Sequence, residues 1–342
     1  MPQGTDAVTV ELGLLVRLFT ASSGHIDERP APDSTHMPRW ERTIVTRTQF
    51  EESLNLAAEI GAKVIEITQA GQPEAADLLV VSAHHRRELA AMIAHRGLSI
   101  AALNAAGMPL HPRAGGRARR LIRRTIELAS LLDVPTVVSM SGAGADGPAS
   151  RTVNWVSFPW PEESVALREH HWHTAIGVWR ELASYASDRG VQQLALELHP
   201  MHLVYNVPTF DRMRQAVGPA ISANIDPSHL YWQGMDPSAV VRALGSAVGH
   251  VHVKDTEIIN DQVATSGVLD GRPFGVADKR AWVYRTVGKG HSNATWKRFF
   301  RALRETGYKG ALSLENEDPY QSYADGVREA AAYVGPLLAK TR

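Results

Sequence analysis

Short apolar runs alternate along this chain with longer segments in which apolar residues recur every three or four positions. These are the signatures of strand and amphipathic helix. Val10–Phe19, Lys63–Ile67, Leu98–Asn104, Pro135–Met140, Gln193–Glu197, Ile221–Asp226, Val248–Lys254 and Gly310–Glu315 read as strands. Gln49–Ile60, Arg86–Arg96, Arg117–Leu132, Trp172–Arg189 and Thr295–Thr306 read as helices, and Val327, Ala331, Val334 and Leu338 keep helical spacing after the last strand. The helix after the sixth strand, near Pro237–Leu244, is short. Eight strand–helix units result, the number that closes a (β/α)8 TIM barrel of the α/β class. Helix-to-strand links are terse and carry Gly61, Gly97, Gly190 and Gly307, while strand-to-helix links are long: 21–47, 68–82, 105–115, 141–161 and 256–293. In a barrel the long links share one face and wall a pocket. The longest is glycine-rich, as expected of a lid or partner-binding loop. No repeat or linker divides the chain, so residues 1–342 are expected to form a single TIM-barrel domain.

Composition narrows the chemistry. With 36 basic and 36 acidic residues the formal net charge is zero, without the basic footprint of nucleic-acid binding. The absence of Cys removes disulfides, thiolate metal sites and a cysteine nucleophile. No run of about 18 apolar residues spans a membrane, and Met1–Asp6 lacks the features of a signal peptide. The expectation is a cytoplasmic protein.

Alternation along the last four strands places a second set of side chains toward the barrel interior. Ala195 and Glu197 share one face of the fifth strand; Ser222, Asn224 and Asp226 share one face of the sixth. His250, His252 and Lys254 do so on the seventh, and Ala311, Ser313 and Glu315 on the eighth. Glu197, Asp226, His252 and Glu315 therefore converge at four consecutive strand ends. Three buried carboxylates need an offsetting cation, since each unpaired charge costs several kcal/mol. Arg or Lys partners could supply it. A divalent metal does so directly, and three oxygens with one imidazole suit Mn2+, Mg2+ or Co2+ as well as Zn2+. His252 stands level with the acids, which leaves His250 as a packed barrel histidine. Glu66, Asn104 and His111 lie at or past the second and third strands and either line the pocket or cap loops.

Leu196-Glu197-Leu198-His199-Pro200, Asn224-Ile225-Asp226-Pro227-Ser228-His229-Leu230, His250-Val251-His252-Val253-Lys254-Asp255 and Leu312-Ser313-Leu314-Glu315-Asn316-Glu317-Asp318 resemble the xylose-isomerase-like barrel superfamily. The likeness is to its sugar phosphate isomerase/epimerase group, which includes the ketose 3-epimerases. The resemblance implies that Glu197, Asp226, His252 and Glu315 bind the metal, Mn2+ first among the candidates, and that His229 contacts a substrate oxygen beside it. The chain departs from the ketose 3-epimerases at Leu203 and Ile258, where they carry Glu and Arg. It also resembles the large subunits of C-glycoside deglycosidases, which cleave a sugar–aromatic carbon–carbon bond of a 3-oxo-glycoside together with a small β-rich partner. Both groups abstract a proton next to a carbonyl. Glu197 and Glu315 are the candidate bases, His199 and His229 the candidate acids or orienting groups. Lys254, Asn104 and His111 join His229 as substrate contacts. The expected ligand is a carbohydrate or glycoside, and homo-oligomers are compatible with the sequence. No Gly-rich phosphate loop or Arg cluster suggests a phosphosugar. A metal-dependent endonuclease on this barrel would need additional His on the early strands and a basic rim, and Val10–Phe19 has no His. A non-catalytic barrel subunit would have little use for the buried acids. Trp155, Trp160 and Trp282, in long loops, could stack on a sugar or aglycone face.

Overall fold

The computed structural model describes residues 10–17, 46–69 and 73–339. Its strands are β1 (Glu11–Arg17), β2 (Val64–Thr68), β3 (Ser99–Asn104), β4 (Thr136–Ser139), β5 (Gln193–Glu197), β6 (Ile221–Ile225), β7 (Val248–Val253), β8 (Asp255–Ile258), β9 (Trp282–Arg285) and β10 (Ala311–Leu314). Eight of them close a parallel barrel in the order β1-β10-β7-β6-β5-β4-β3-β2. The helices are α1 (Arg47–Glu59), α2 (Pro73–Val81), α3 (Ala83–Ala94), α4 (Gly115–Leu131), α5 (Glu162–Ser187), α6 (Val207–Val217), α7 (Pro227–Tyr231), α8 (Pro237–Leu244), α9 (Asn260–Ser266), α10 (Asn293–Glu305) and α11 (Tyr323–Ala339). The fold is the predicted (β/α)8 barrel.

Two apolar populations confirm the strand alternation. Leu194, Leu196, Val251, Val253, Leu312 and Leu314 belong to the large core between strands and helices. Ala102, Val138 and Ala195 form a separate, small cluster. Beside Val64 and Ala311, the strands' second faces bury many polar side chains: Glu66, Ser222, Asn224, His250, His252 and Ser313. A barrel interior is usually filled by Val, Ile and Leu; this one is not.

Local chemistry sets the element ends. Thr46 and Gln49 form a capping box at α1, Asn206 and Thr209 another at α6, and Ser292 caps α10. Trp296, Phe299, Phe300 and Leu303 bury one face of α10.

Three links differ from the sequence expectation. Helix α2 occupies most of the supposed loop 68–82, because Asp77-Leu78-Leu79-Val80-Val81 is too short a stretch to show a period by itself. Helix α5 begins at Glu162, ten residues before the expected Trp172; Glu162 and Glu163 favour the first turn of a helix through its dipole. The link 256–293 is built rather than open: β8 pairs antiparallel with β9, with α9 between them. Its far end is tied by Asp255, fully buried, whose Oδ2 accepts from the amides of Gly288 (2.9 Å), Gly290 (3.1 Å) and His291 (3.0 Å) and from Trp296 Nε1 (3.2 Å). Gly290 is required there, because a Cβ would stand 2.3 Å from the Thr256 carbonyl oxygen. The link 141–161 is the expected loop. Most of 21–47 lies outside the described residues.

Candidate metal centre

Glu197 ends β5, Asp226 follows β6, His252 lies in β7 and Glu315 follows β10. Each turns one donor atom into a volume where all four atoms lie within 4.8 Å of one another. Asp226 also caps the short helix α7: its Oδ1 accepts from Ser228 N at 2.8 Å. That turn brings His229 back over the acids, with Nε2 3.2 Å from Asp226 Oδ2 and 3.4 Å from Glu197 Oε1. The lower strands match the register needed: Ser313 pairs with His252, and Asn224 with both Glu197 and His250.

The cluster is strongly polarised. Burial alone would raise the Glu197 pKa, but hydrogen bonds from His229 and His252 hold it well below the usual carboxylate range. Burial opposes ionisation of Glu315 too, and Lys254 and His252 overcome it, bringing its pKa to about 2. His252 Nδ1 lies 3.2 Å from Glu315 Oε2 and 3.6 Å from Glu197 Oε1, while Nε2 lies 3.1 Å from Glu66. Burial disfavours its charge, yet these carboxylates, Glu66 foremost, raise its pKa well above that of free histidine. With both ring nitrogens facing acids, the cation-free ring is an imidazolium.

Lys254 is the organic counter-ion. Only 2 % exposed, its Nζ lies 3.1 Å from Asp226 Oδ2, 3.2 Å from Glu315 Oε1 and 3.1 Å from Glu317 Oε2. Burial disfavours the charge, and these acids outweigh it, keeping the ammonium form far beyond its usual range. The Lys partner considered from the sequence therefore exists. It does not complete the site: Asp226 Oδ2, fully buried, accepts no hydrogen bond with good geometry despite its neighbours.

The other expected contacts are distributed unevenly. Asn104, 3 % exposed, gives its amide to Glu66 at 2.7 Å and accepts from Ala106 N. It therefore supports the cluster from beneath. His111 is engaged by backbone groups of two links: Nδ1 accepts from the amides of Arg113 and Ala114, and Nε2 donates to the Arg151 carbonyl. That is the loop-capping alternative left open by the sequence. His199 packs its ring on His229, centroids 3.9 Å apart, and its Nδ1 lies 2.5 Å from the Pro200 carbonyl. Burial lowers its pKa well below that of free histidine. Trp282 is buried and stacked on Trp232, so it offers no face to a ligand, whereas Trp160 is 64 % exposed. Two participants escaped the sequence reading. Tyr284, from β9, places its hydroxyl 3.2 Å from His229 Nδ1 and its ring 4.8 Å from Lys254 Nζ. Glu317 completes the lysine's set of acids. His250 is packed, as expected, but against Glu66 at 2.6 Å and Ser313 Oγ at 3.0 Å rather than against apolar groups.

The profile of xylose isomerase-like TIM barrels matches residues 54–335. The chain belongs to that family. It is 39% identical over 287 residues to the uncharacterized protein YfiH of Bacillus subtilis (strain 168), covering 82% of this chain and 92% of that one. Among solved structures, L-ribulose 3-epimerase superposes with a TM-score of 0.63 at 16% identity, covering 98% of this chain and 96% of the other. A xylose isomerase-like TIM barrel protein from Mycobacterium smegmatis in complex with magnesium superposes with a TM-score of 0.59 at 19% identity, covering 87% and 90%. At such identities these two show the fold. No helix among the described residues is long and apolar enough to cross a membrane.

Proposed function

We propose that Glu197, Asp226, His252 and Glu315 hold one divalent cation and that the protein is a sugar isomerase or epimerase acting by proton abstraction beside a carbonyl. The observation that carries the reading is the convergence of four donor atoms, three carboxylate oxygens and one imidazole nitrogen, within 4.8 Å of one another. Three carboxylate oxygens and an imidazole nitrogen suit Mn2+, Mg2+ or Co2+, with Zn2+ also accommodated. The magnesium complex of the mycobacterial relative agrees with this donor set, and the epimerase among the structural neighbours with the reaction class. A cation bound there supplies Lewis-acid polarisation of substrate oxygens and offsets the charge of the enediolate.

The chain's own groups carry the proton. Glu197 and Glu315 approach from β5 and β10, separated around the barrel by β6 and β7, so a sugar bound between them presents one C–H face to each. One carboxylate removes the proton and the other returns it. His229 is held by Asp226, Glu197 and Tyr284 in a fixed ring plane, suited to hydrogen bonding a substrate hydroxyl. The His199 ring closes over it and excludes water. Lys254 lies against Asp226, helps to keep Glu315 ionised and is a further candidate donor to a substrate oxygen.

A second reading, the large subunit of a C-glycoside deglycosidase, uses the same enolisation to expel an aromatic carbon. It is favoured by Leu203, which belongs to the apolar core, and Ile258, which packs on the Trp232–Trp282 pair. The polar residues that contact a free ketose in 3-epimerases are therefore absent. Exposed Phe158, Trp160, Leu269 and Phe274 on the two long links suit a small β-rich partner, to be sought by co-purification from the native host.

The chemistry is tested by deuterium uptake from D2O at the carbon beside the carbonyl of a ketose or 3-oxo sugar. Glu197→Gln and Glu315→Gln should each slow exchange by roughly 10²-fold or more. Wild-type exchange in both variants would refute the assignment. Retention of a bound cation by Asp226→Ala would refute the centre.

A further inference from the structure

Glu66 is a fully buried carboxylate on β2, a strand that contributes no donor to the four-atom cluster. Its environment is built for one purpose. Oε1 accepts from Asn104 Nδ2 at 2.7 Å, Oε2 meets His250 Nε2 at 2.6 Å, and both oxygens stand 3.1 Å from His252 Nε2. The pairing register between β2 and β3 shifts by one residue at Ile65/Glu66, the kind of irregularity that re-aims a side chain next to a site. On the opposite side of the same imidazole, Nδ1 faces Glu315 and Glu197. Asn224 Nδ2 lies 3.3 Å from each ring nitrogen of His252 and so sits over the ring face.

We infer that Glu66, steadied by Asn104 and His250, is a positioning residue: it holds the Nε2–H of His252 and thereby presents Nδ1 to the cation site. The inference rests on the metal reading above. A histidine ring has two nitrogens and a rotatable plane, and a carboxylate on the far nitrogen selects the tautomer, fixes the plane and raises the basicity of the near one. Loss of such a partner commonly costs 10–100-fold in metal affinity. Glu66 together with His250 and His252 also offers three donor atoms within 4.8 Å of one another. Against a second cation there, His252 Nε2 already points at Glu66, and His250 Nε2 is shared with Ser313 Oγ.

The test uses the full chain, with Mn2+ affinity by calorimetry, metal content by elemental analysis, and the visible spectrum of the Co2+ form. Wild type should bind about one cation. Glu66→Ala should lose 10–100-fold in Mn2+ affinity and show an altered Co2+ spectrum. Glu66→Gln, which keeps the shape and one acceptor oxygen, should fall between the two. Gln alone carries the test if the alanine variant does not fold, as judged by circular dichroism. Unchanged affinity and spectrum in folded variants overturn the inference while leaving the metal reading intact; no cation in wild type overturns the metal reading itself. Two cations in wild type falling to one in Glu66→Ala would make Glu66 a ligand and also overturn it.

Discussion

Lys254→Met gives two effects of opposite sign, and their combination is diagnostic. The ammonium touches three carboxylates at 3.1–3.2 Å while almost wholly buried. At an effective dielectric constant of about 20, one such pair is worth roughly 5 kcal/mol before desolvation. Burying the lysine offsets much of the sum, and removing one partner of a buried pair typically costs 3–5 kcal/mol because the remaining charges are stranded. Methionine keeps the length of the stem, so packing changes little. The cation-free variant should therefore unfold about 3–5 kcal/mol more easily in EDTA, a fall of its midpoint on the order of 5–10 °C. Cation binding should respond in the other direction. A monovalent and a divalent charge about 5 Å apart repel by roughly 7 kcal/mol at the same dielectric constant. Even when most of that is screened, Lys254→Met should bind Mn2+ at least about tenfold more tightly, or about 1.4 kcal/mol. Thermal unfolding with and without Mn2+, together with calorimetric titration, measures both. A variant as stable as wild type in EDTA would mean that the lysine is not the counter-ion. Weaker Mn2+ binding would mean that it does not compete with the cation.

Two further outcomes follow from buried groups away from the four donors. Burial lowers the His202 pKa from 6.5 to about 4, so the unfolded chain takes up a proton that the folded chain refuses, and stability falls as pH drops from about 6.5 toward 4. Between pH 7 and 5 this one residue should cost about 2 kcal/mol; His202→Asn keeps an acceptor for the Gly142 amide and should reduce the acid loss by that amount in chemical unfolding, and an unchanged pH slope would count against it. Asp255→Ala should destabilise the protein by at least about 3 kcal/mol and raise proteolytic cleavage within 256–293, since three loop amides and the Trp296 indole lose their acceptor; normal protease resistance would show that the link is held elsewhere.

Much of this was legible in the sequence because two periods are written into it. Strand alternation over Gln193–Glu197 or Ala311–Glu315 separates leucines from acids without ambiguity, and the four donors follow from it. What escaped has physical causes. The four-residue strands β8 and β9 are too short for a period of two to stand out from a glycine-rich link, so Tyr284 could not be placed beside His229. Lys254 was visibly inward, but its partner Glu317 lies beyond the end of β10, where alternation no longer applies. Glu66 did leave a signal: it is the only charged residue in Val-Ile-Glu-Ile-Thr, a run buried at every position. A lone acid in such a strand has to be paired. His111 shows the converse, a polar residue past a strand end whose ring is consumed by the turn that carries it.

The division of labour within the barrel explains why so polar an interior is tolerated. The large apolar core lies outside the strands, against the helices, and inside, among the described residues, the apolar cluster is the small set Ala102, Val138 and Ala195. Cohesion therefore comes from the outer shell, and the interior is free to hold charge. Glu66, Glu197, Asp226 and Glu315 face Lys254 and the His252 imidazolium, while burial holds Glu317 toward its neutral form, raising its pKa against the pull of Lys254. Asp226 Oδ2 stands between Lys254 Nζ (3.1 Å) and His229 Nε2 (3.2 Å) without completing a well-aligned hydrogen bond to either. Glu197, Asp226, His252 and Glu315 would hold a divalent cation there, and it would add positive charge among the acids. With Glu66 accepting from Nε2–H of His252, Nδ1 would be left to face that cation, so the converging acids and the doubly flanked histidine suit one divalent ion.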